Sequence, residues 1–264
     1  MKMKNKKNIR KICVVVTARP SYSRIKSALL AINAHPDLEL QLVVAASALL
    51  EKYGSVVDII IKDGLTIDAK VYMVIEGESL VTSAKTTGIG IVEMASIFDN
   101  LSPDMILSIA DRYETIATAI TGSFMNIPVV HVQGGEVTGS IDEKVRHAVT
   151  KLSNIHLVSN EASRNRVIKM GESIGSVFVT GCPSIDLAKE IVDEGQSINT
   201  KEIQKGVGAN LDADENYIMV MQHPVTLEWE DSTSQIIETL HAIDSVGIQC
   251  YWFWPNVDAG SDSS

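Results

Sequence analysis

The sequence has few of the features that mark secreted or membrane-spanning proteins. Its three cysteines are odd in number and widely spaced, which argues against a disulfide framework and indicates thiols in a reducing cytoplasm. No apolar run approaches the roughly 18 residues of a membrane span. The apolar stretch at 12–16, which follows a basic N-terminus, is too short for the hydrophobic region of a signal peptide. The sequence therefore predicts a cytoplasmic protein without a membrane partner.

Basic residues are scarce beyond the N-terminus. Six of the 23 Lys and Arg residues lie within residues 1–11, so that only 17 remain against 33 acidic residues. A body this acidic repels a phosphate backbone, which argues against nucleic acid as a partner. A nucleotide can still bind wherever a few cationic groups converge.

Short β-branched runs alternate along the chain with longer segments of helical periodicity. The runs are continuously apolar, which indicates strands that are buried on both faces of a parallel sheet. The predicted strands are 12–16, 40–45, 70–74, 105–109, 129–132, 156–158, 177–179, 217–221 and 248–252. The predicted helices lie near 22–34, 49–61, 79–99, 112–125, 141–153, 161–170 and 232–245. Regular alternation of this kind predicts a doubly wound α/β architecture.

A polar stretch at 190–216 divides the predicted elements into two groups. We predict an N-terminal domain at 1–185 and a second, partial domain at 186–264. A parallel sheet of two strands cannot bury both of its faces, so the second domain is predicted to be incomplete. The polar end of the chain at 260–264 fits a natural tail, a frameshift or the end of an expressed fragment.

Ligands of open parallel sheets bind outside the carboxyl ends of the strands, and charged residues follow the first and fourth predicted strands there. Arg19 and Arg24 follow the first strand, where their forked donors suit a diphosphate, although an ordinary solvated helix start has the same pattern. This turn lacks the Gly-x-Gly-x-x-Gly pattern, which disfavours a nicotinamide dinucleotide. Asp111 follows the fourth strand as either a helix N-cap or a catalytic carboxylate.

A glycine-rich loop follows the predicted strand 129–132. Its two glycines at 134–135 allow a backbone to approach a ligand closely, and Glu136 follows them. Asp142 starts the next helix with Arg146 on the same face, a pair that a surface salt bridge would also explain. The loop thus supplies a second and a third candidate carboxylate.

The three acids would lie at adjoining strand ends. Crowding of Asp111, Glu136 and Asp142 would favour a general acid or base that works near neutrality. His131 and His156 lie within apolar runs, which is more typical of histidines in a hydrophobic core. In the second domain, His223 and Asn256 follow the two predicted strands and are candidates for ligand contacts.

Seven segments of the sequence carry a family pattern. They are Thr-Ala-Arg-Pro-Ser-Tyr-Ser-Arg at 17–24, Asp-Arg-Tyr-Glu at 111–114, His-Val-Gln-Gly-Gly-Glu-Val-Thr-Gly at 131–139, Ile-Asp-Glu-Lys-Val-Arg-His at 141–147, Thr-Gly-Cys-Pro-Ser-Ile-Asp at 180–186, Gln-His-Pro-Val-Thr at 222–226 and Pro-Asn-Val-Asp-Ala-Gly at 255–260. In this order they resemble the hydrolysing UDP-N-acetylglucosamine 2-epimerases of sialic and legionaminic acid synthesis.

The resemblance implies a glycosyltransferase-B-like fold of two Rossmann-like parallel-sheet halves, the second of them incomplete here. It implies a UDP-sugar substrate, a nucleotide-binding role for the second half, no metal or nicotinamide cofactor, and a homodimer. UDP would leave by anti elimination across C1–C2, and water would add to the resulting 2-acetamidoglucal to release N-acetylmannosamine.

The resemblance also implies roles for particular residues. Arg19, Arg24 and His223 would hold the diphosphate, and Gln133 and Asn256 would contact the substrate. The three acids would form the acid–base set. Gln133 is a departure from the related non-hydrolysing epimerases, which have a carboxylate two residues after the loop histidine.

Two other functions fit the same architecture. One is a glycosyltransferase, which would need an acceptor site, and the other is a non-catalytic fragment that binds a nucleotide sugar. Members of the family continue through a Gly-Asn-Ser-Ser-Ser-Gly-Ile-x-Glu type segment that this sequence does not reach. We therefore expect these 264 residues alone not to turn over UDP-N-acetylglucosamine. A diacetamido-bacillosamine nucleotide and a GDP-linked sugar remain alternative substrates.

Overall fold

The computed structural model describes most of the chain in two compact units. The described residues are 9–51, 56–77, 79–109, 112–138, 141–195, 207–209, 211–212, 215–223 and 231–253. The boundary between the units falls between Ala188 and Lys189. Each unit is an α/β arrangement with its own parallel sheet.

The first unit contains a seven-stranded sheet in which all strand pairs are parallel. Its strands are β1 (Arg10–Val16), β2 (Leu38–Ala45), β3 (Ala69–Val71), β4 (Met105–Ile109), β5 (Val129–Val132), β6 (Ile155–Val158) and β7 (Val177–Val179). They lie in the order β3-β2-β1-β4-β5-β6-β7. The order reverses at β1, which pairs with β2 on one side and with β4 on the other.

Eight helices of the first unit are described. They are α1 (Arg19–Ser23), α2 (Lys26–Ala34), α3 (Val56–Lys62), α4 (Leu80–Leu101), α5 (Thr115–Phe124), α6 (Ile141–Leu152), α7 (Glu161–Lys169) and α8 (Pro183–Asp193). The last of these runs across the boundary between the units. Ser79 begins α4 with a capping box, in which its hydroxyl accepts from the Thr82 amide at 3.1 Å. None of the described helices is long and apolar enough to cross a membrane.

The alternation of side chains along β1 explains why helices cover both faces of the sheet. Val14 and Val16 pack into a core with residues of α2 and α3, such as Leu29. Cys13 and Val15 point to the other face and pack with residues of α4 and α5. A run of four fully buried apolar residues is therefore what a strand between two helical layers requires. The prediction of a parallel, doubly wound sheet is confirmed.

The thiol of Cys13 is fully buried in this core. Cys13 has no exposed surface, and its burial, together with the negative charge of Asp68, raises its pKa to about 12. A thiol in this setting packs as a small apolar side chain rather than as a nucleophile.

The second described unit contains a two-stranded parallel sheet. Strand β8 (Tyr217–Val220) pairs with β9 (Gln249–Trp252), and helix α9 (Ser232–Val246) connects them. The rings of Tyr217 and Tyr251 meet edge to face, with their centroids 5.1 Å apart. The predicted β-α-β order of this part is confirmed.

Several predicted boundaries were wrong. The helix predicted near 22–34 is two helices, which are separated at 24–25. The strand predicted at 70–74 ends at Val71, yet Met73 is buried because it packs into the core beside α4. Helix α8 was not predicted, and it extends into the stretch at 190–216 that was read as polar. Helix α8 does carry apolar residues at helical spacing, among them Ile185, Ala188 and Val192, so its pattern was present in the sequence and was overlooked, although none of its residues is buried.

The cover of the sheet by α4 can be tested by a matched pair of substitutions. Phe98 of α4 is 1% exposed, whereas Phe124 at the end of α5 is 85% exposed. Phe98→Ala should lower the free energy of unfolding by about 3–5 kcal/mol because it leaves a cavity. Phe124→Ala should change it by less than about 0.5 kcal/mol. Urea denaturation followed by circular dichroism measures both, and equal effects would contradict the packing described here.

Candidate functional site

The candidate site lies at the carboxyl edge of the seven-stranded sheet. In doubly wound sheets the ligand crevice opens beside the point at which the strand order reverses, which is here between β1 and β4. The loops that follow β1, β4, β5, β6 and β7 all leave the sheet at this edge because the strands are parallel.

The loop after β1 is fixed by a buried tyrosine. The hydroxyl of Tyr22 donates to Asp63 Oδ2 at 2.6 Å, and the ammonium of Lys26 donates to Asp63 Oδ1 at 2.7 Å. Burial, and then the bond to Asp63, raise the pKa of Tyr22. Burial alone would raise the pKa of Asp63, but the hydrogen bonds from Lys26 and Tyr22 outweigh it and lower that pKa. Helix α1 is thereby tied to the end of α3.

The two predicted phosphate ligands flank this anchored tyrosine. Arg19 is the first residue of α1 and is exposed, and Arg24 follows its last residue and is half-buried. Pro20 occupies the first turn, where its missing N–H costs nothing. Helix α1 has only five residues, so the two guanidinium groups, rather than a helix dipole, are the cationic feature of this loop.

The loop after β4 contains a buried ion pair. Arg112 Nε donates to Glu114 Oε1 at 2.9 Å, and the Glu114 side chain is 1% exposed. Asp111 lies outside the described residues. Helix α5 begins at Thr115 with Glu114 in its N-cap position, and both alternatives for Asp111 stay predictions.

The loop after β5 begins with a residue in an unusual conformation. Gln133 has a φ of 63°, in the left-handed region that residues other than glycine seldom adopt. Its amide N–H donates to Leu157 O of β6 at 2.8 Å, and its side-chain Nε2 donates to Cys182 Sγ at 2.9 Å. The side chain of Gln133 is 4% exposed and joins the loops after β5 and β7. Strain of this kind persists only where the surrounding contacts enforce it.

The two glycines that follow are required by close neighbours. A Cβ atom on Gly134 would lie 2.8 Å from His131 Nδ1. A Cβ atom on Gly135, which has a φ of 79°, would lie 2.5 Å from Ser163 O of α7. The loop therefore passes between β5 and the first turns of α7 at a separation that no side chain permits.

Two arginines hold consecutive carbonyl groups of this loop. Arg166 of α7 donates to Gly135 O, and Arg146 of α6 donates to Glu136 O at 2.9 Å. Arg146 is 1% exposed, so the alternative of a salt bridge with Asp142 at the surface was wrong about the surface. The buried guanidinium of Arg146 and the half-buried one of Arg166 need such acceptors, and the backbone of the loop supplies them.

Glu136 belongs to this fixed loop, and its carboxylate makes a further hydrogen bond. Its Oε1 accepts a hydrogen bond from Ser159 Oγ at 2.8 Å, and the residue is half-buried. Asp142 lies in the first turn of α6 and is also half-buried. The structure thus places these two predicted acids on the same loop-and-helix segment at the carboxyl edge of the sheet.

The two candidate histidines are core residues, as predicted. His131 and His156 have no exposed surface, and they lie side by side on β5 and β6. His131 Nδ1 lies 3.1 Å from Thr150 Oγ1, and His156 Nε2 lies 3.2 Å from Glu172 Oε2. Burial lowers the pKa of His156, although the nearby Glu172 opposes this effect.

The second unit contributes one described candidate. His223 follows β8 by three residues and is exposed, while Asn256 lies outside the described residues. Their roles, like those of the residues in the first unit, remain predictions.

Sequence reasoning missed two residues of this site. Ser159 and Arg166 contact the loop after β5, but neither stood out in the sequence. Ser159 follows the predicted strand 156–158, so the rule that ligands meet the carboxyl ends of strands would have found it. Arg166 gives no such signal because it lies in the last turn of α7, far from the loop in sequence.

The described side chains at this edge can transfer protons and bind anions. Within the parts of the chain that the structure describes, no group of three or more His, Cys, Asp or Glu side chains is arranged to hold a metal ion. The Glu136 carboxylate, on a fixed loop, is suited to act as a general base, and the guanidinium groups of Arg19 and Arg24 are suited to bind phosphate.

The fold and this edge define a doubly wound, glycosyltransferase-B-like α/β protein. A crystal structure of UDP-GlcNAc 2-epimerase from Neisseria meningitidis bound to UDP-GlcNAc has the same fold, with a TM-score of 0.77 and 17% sequence identity. The match covers 96% of this chain and 68% of that one. The predicted fold class is thereby confirmed.

The sequence profile of the UDP-N-acetylglucosamine 2-epimerase family matches residues 30–263, and the chain belongs to this family. It is 32% identical over 96% of its length to the UDP-N,N'-diacetylbacillosamine 2-epimerase (hydrolyzing) of Legionella pneumophila. It is 31% identical over 96% of its length to the polysialic acid biosynthesis protein P7 of Escherichia coli. The chain spans 65% and 64%, respectively, of the lengths of these two relatives.

The close passage of the loop can be tested with two glycines of positive φ. Gly135 has a φ of 79° and a crowded Cβ position, whereas Gly181 has a φ of 82° and nothing within 4 Å of its Cβ position. Gly181→Ala should lower the free energy of unfolding by about 1–2 kcal/mol through backbone strain alone. Gly135→Ala should cost about 1–3 kcal/mol more because α7 must shift. Urea denaturation measures both, and equal losses would mean that the loop does not pass as closely as described.

Proposed function

We propose that the protein is a hydrolysing 2-epimerase of UDP-N-acetylglucosamine. It would release UDP by elimination across C1–C2 and then add water to the 2-acetamidoglucal, which gives N-acetylmannosamine. Membership of the 2-epimerase family supports the reaction class and favours it over glycosyl transfer. The observation that carries the proposal is the Glu136 carboxylate, held by Ser159 on a loop whose backbone two arginines fix.

The chemistry requires a base at C2 and a group that assists addition to the glucal. We assign these tasks to the set of Asp111, Glu136 and Asp142, and within it we propose Glu136 as the base, because its carboxylate is held on a fixed loop. A carboxylate on a rigid loop is suited to proton abstraction because the base must meet the proton within hydrogen-bond distance. Arg19 and Arg24, the two cations that follow β1, would stabilise the diphosphate as it departs.

The hydrolysing outcome is supported by the name of the Legionella relative and by Gln133. Non-hydrolysing members of the family have a carboxylate at the place of Gln133. In this chain the side chain at that place donates to Cys182 and has almost no exposed surface. The acids around the sugar would therefore be arranged differently from those of the non-hydrolysing members. This difference is consistent with addition of water, rather than UDP, to the glucal.

The substrate has one specific alternative. The Legionella relative is named for UDP-N,N'-diacetylbacillosamine, which also carries an acetamido group at C2. The same elimination and hydration would then release a diacetamido sugar.

The proposed reaction is tested by product analysis in heavy water. The product of the complete gene is incubated with each UDP-sugar, and UDP and the sugar are identified by NMR. Hydrolysis through a glucal should yield free UDP and a free sugar with deuterium at C2. A UDP-linked epimer would show a non-hydrolysing enzyme, and a requirement for a sugar acceptor would show a transferase.

Replacement of the loop carboxylate tests the assignment of Glu136. Glu136→Gln keeps the shape of the side chain but removes the base, so turnover should fall by at least about a hundredfold. Glu93→Gln on the exposed face of α4 is the matched control and should leave turnover unchanged. Wild-type turnover in Glu136→Gln would remove this residue from the mechanism.

Phosphate binding is tested at the two ends of β1. Arg19 follows the carboxyl end of the strand, and Arg10 begins the strand at the opposite edge; both are exposed. Arg19→Ala should weaken UDP binding by about 1.5–3 kcal/mol, the scale of a charge-assisted hydrogen bond. Arg10→Ala should leave the affinity unchanged. Isothermal titration calorimetry measures both, and an unaltered affinity in Arg19→Ala would refute its role.

A further inference from the structure

The carboxylate of Glu136 is held by a neutral donor. Among the described residues, the side-chain partner of Glu136 is Ser159, whose Oγ donates to Oε1 at 2.8 Å. The loops of these two residues leave the sheet side by side, because β5 and β6 are neighbours and the Gln133 amide still donates to Leu157 O. The contact therefore joins the loops after two neighbouring strands through residues that are 23 positions apart in sequence.

The direction of this hydrogen bond is set by the next residue. Asn160 is the N-cap of α7, and its Oδ1 accepts from the Ser163 amide at 2.9 Å. Because the helix requires the oxygen there, the amide nitrogen must point the other way, and it donates to Ser159 Oγ at 3.1 Å. With its oxygen already an acceptor, Ser159 directs its own proton to Glu136.

We propose that Ser159 is a positioning residue for the epimerase reaction. With Asn160 behind it, Ser159 holds the Glu136 carboxylate in one orientation and leaves Oε2 for the substrate. This inference rests on the proposed function of Glu136. A chain of three groups that begins at a helix N-cap is more rigid than a single contact, because each bond polarises and orients the next. A base that is already aligned loses less freedom when it meets the C2 proton.

The test is steady-state kinetics of serine variants. Ser159→Ala should lower kcat about tenfold, which corresponds to about 1.4 kcal/mol, with KM within about twofold of wild type. Ser159→Thr retains the hydroxyl and should recover kcat to within about threefold. The matched control is Ser176→Ala, because the Ser176 hydroxyl also donates to an oxygen, Ser173 O, but lies at the amino end of β7. This control should leave both kcat and KM unchanged.

A variant of Asn160, which donates to Ser159, distinguishes an effect on the orientation of Glu136 from an effect on folding. Asn160→Ser keeps a good N-cap for α7 but removes the amide that donates to Ser159. It should lower kcat severalfold while the unfolding midpoint changes little. A merely structural role for the chain would instead lower the midpoint and leave kcat of the folded protein unchanged.

The kinetic outcomes that would overturn the inference are distinct. They are a wild-type kcat in Ser159→Ala, an equal loss in Ser159→Ala and Ser159→Thr, or a loss confined to KM. If the wild-type protein releases no product from either UDP-sugar, the proposed function fails, and a double-mutant cycle in urea then decides the contact. Ser159→Ala and Glu136→Ala should couple by about three- to tenfold in the unfolding constant, whereas additive effects would overturn the contact itself.

Discussion

The site depends on the two guanidinium groups that hold consecutive carbonyls of the loop after β5. Arg146 reaches the loop from α6 and Arg166 reaches it from α7, so the loop is held from both of the helices that flank β6. A buried guanidinium is costly unless its donors are satisfied, which means that the loop and the arginines stabilise one another. The glycines at 134–135 follow from the same constraint, since the loop can reach these donors only by passing where no Cβ fits.

The parallel sheet determines where this constraint acts. The central strands β1, β4 and β5 are buried along most of their length, so the charged side chains of this region lie at or beyond their ends. At the carboxyl edge, the loops after β5, β6 and β7 are linked sideways by Gln133 to Cys182 and by Glu136 to Ser159. The edge is thus a connected network of side chains rather than a row of independent loops, and a displacement of one loop must strain the next.

Much of the fold could be predicted from the sequence, because buried parallel strands have continuously apolar sequences. The bounds of β4, β5 and β7 were predicted to the residue for this reason. The break between α1 and α2 could not be predicted, since it depends on Tyr22 packing beneath the loop. Helix α8 was missed although its apolar residues have helical spacing.

The candidate site was predictable in part for a similar reason. Acids after strands are visible in a sequence, and Glu136 was found in this way. The spacing of Asp142 and Arg146 predicted that they share a helix face, but it could not show that this face turns inward, where Arg146 is buried. Contacts such as that of Arg166 with Gly135 O join residues 31 positions apart, and no local pattern encodes them.

The same arrangement explains why Glu136 is a better candidate for the base than the other buried acids. Glu114 shares its carboxylate with Arg112, and Asp63 shares its own with Lys26, so both are members of ion pairs. A carboxylate that is already engaged by a cation must give up that contact before it can meet a substrate proton. Arg146 and Arg166, which contact the same loop, donate to its backbone carbonyls instead, and a neutral hydroxyl orients the carboxylate. Glu136 is therefore fixed in direction without being engaged in an ion pair with these arginines, which is the combination that proton abstraction requires.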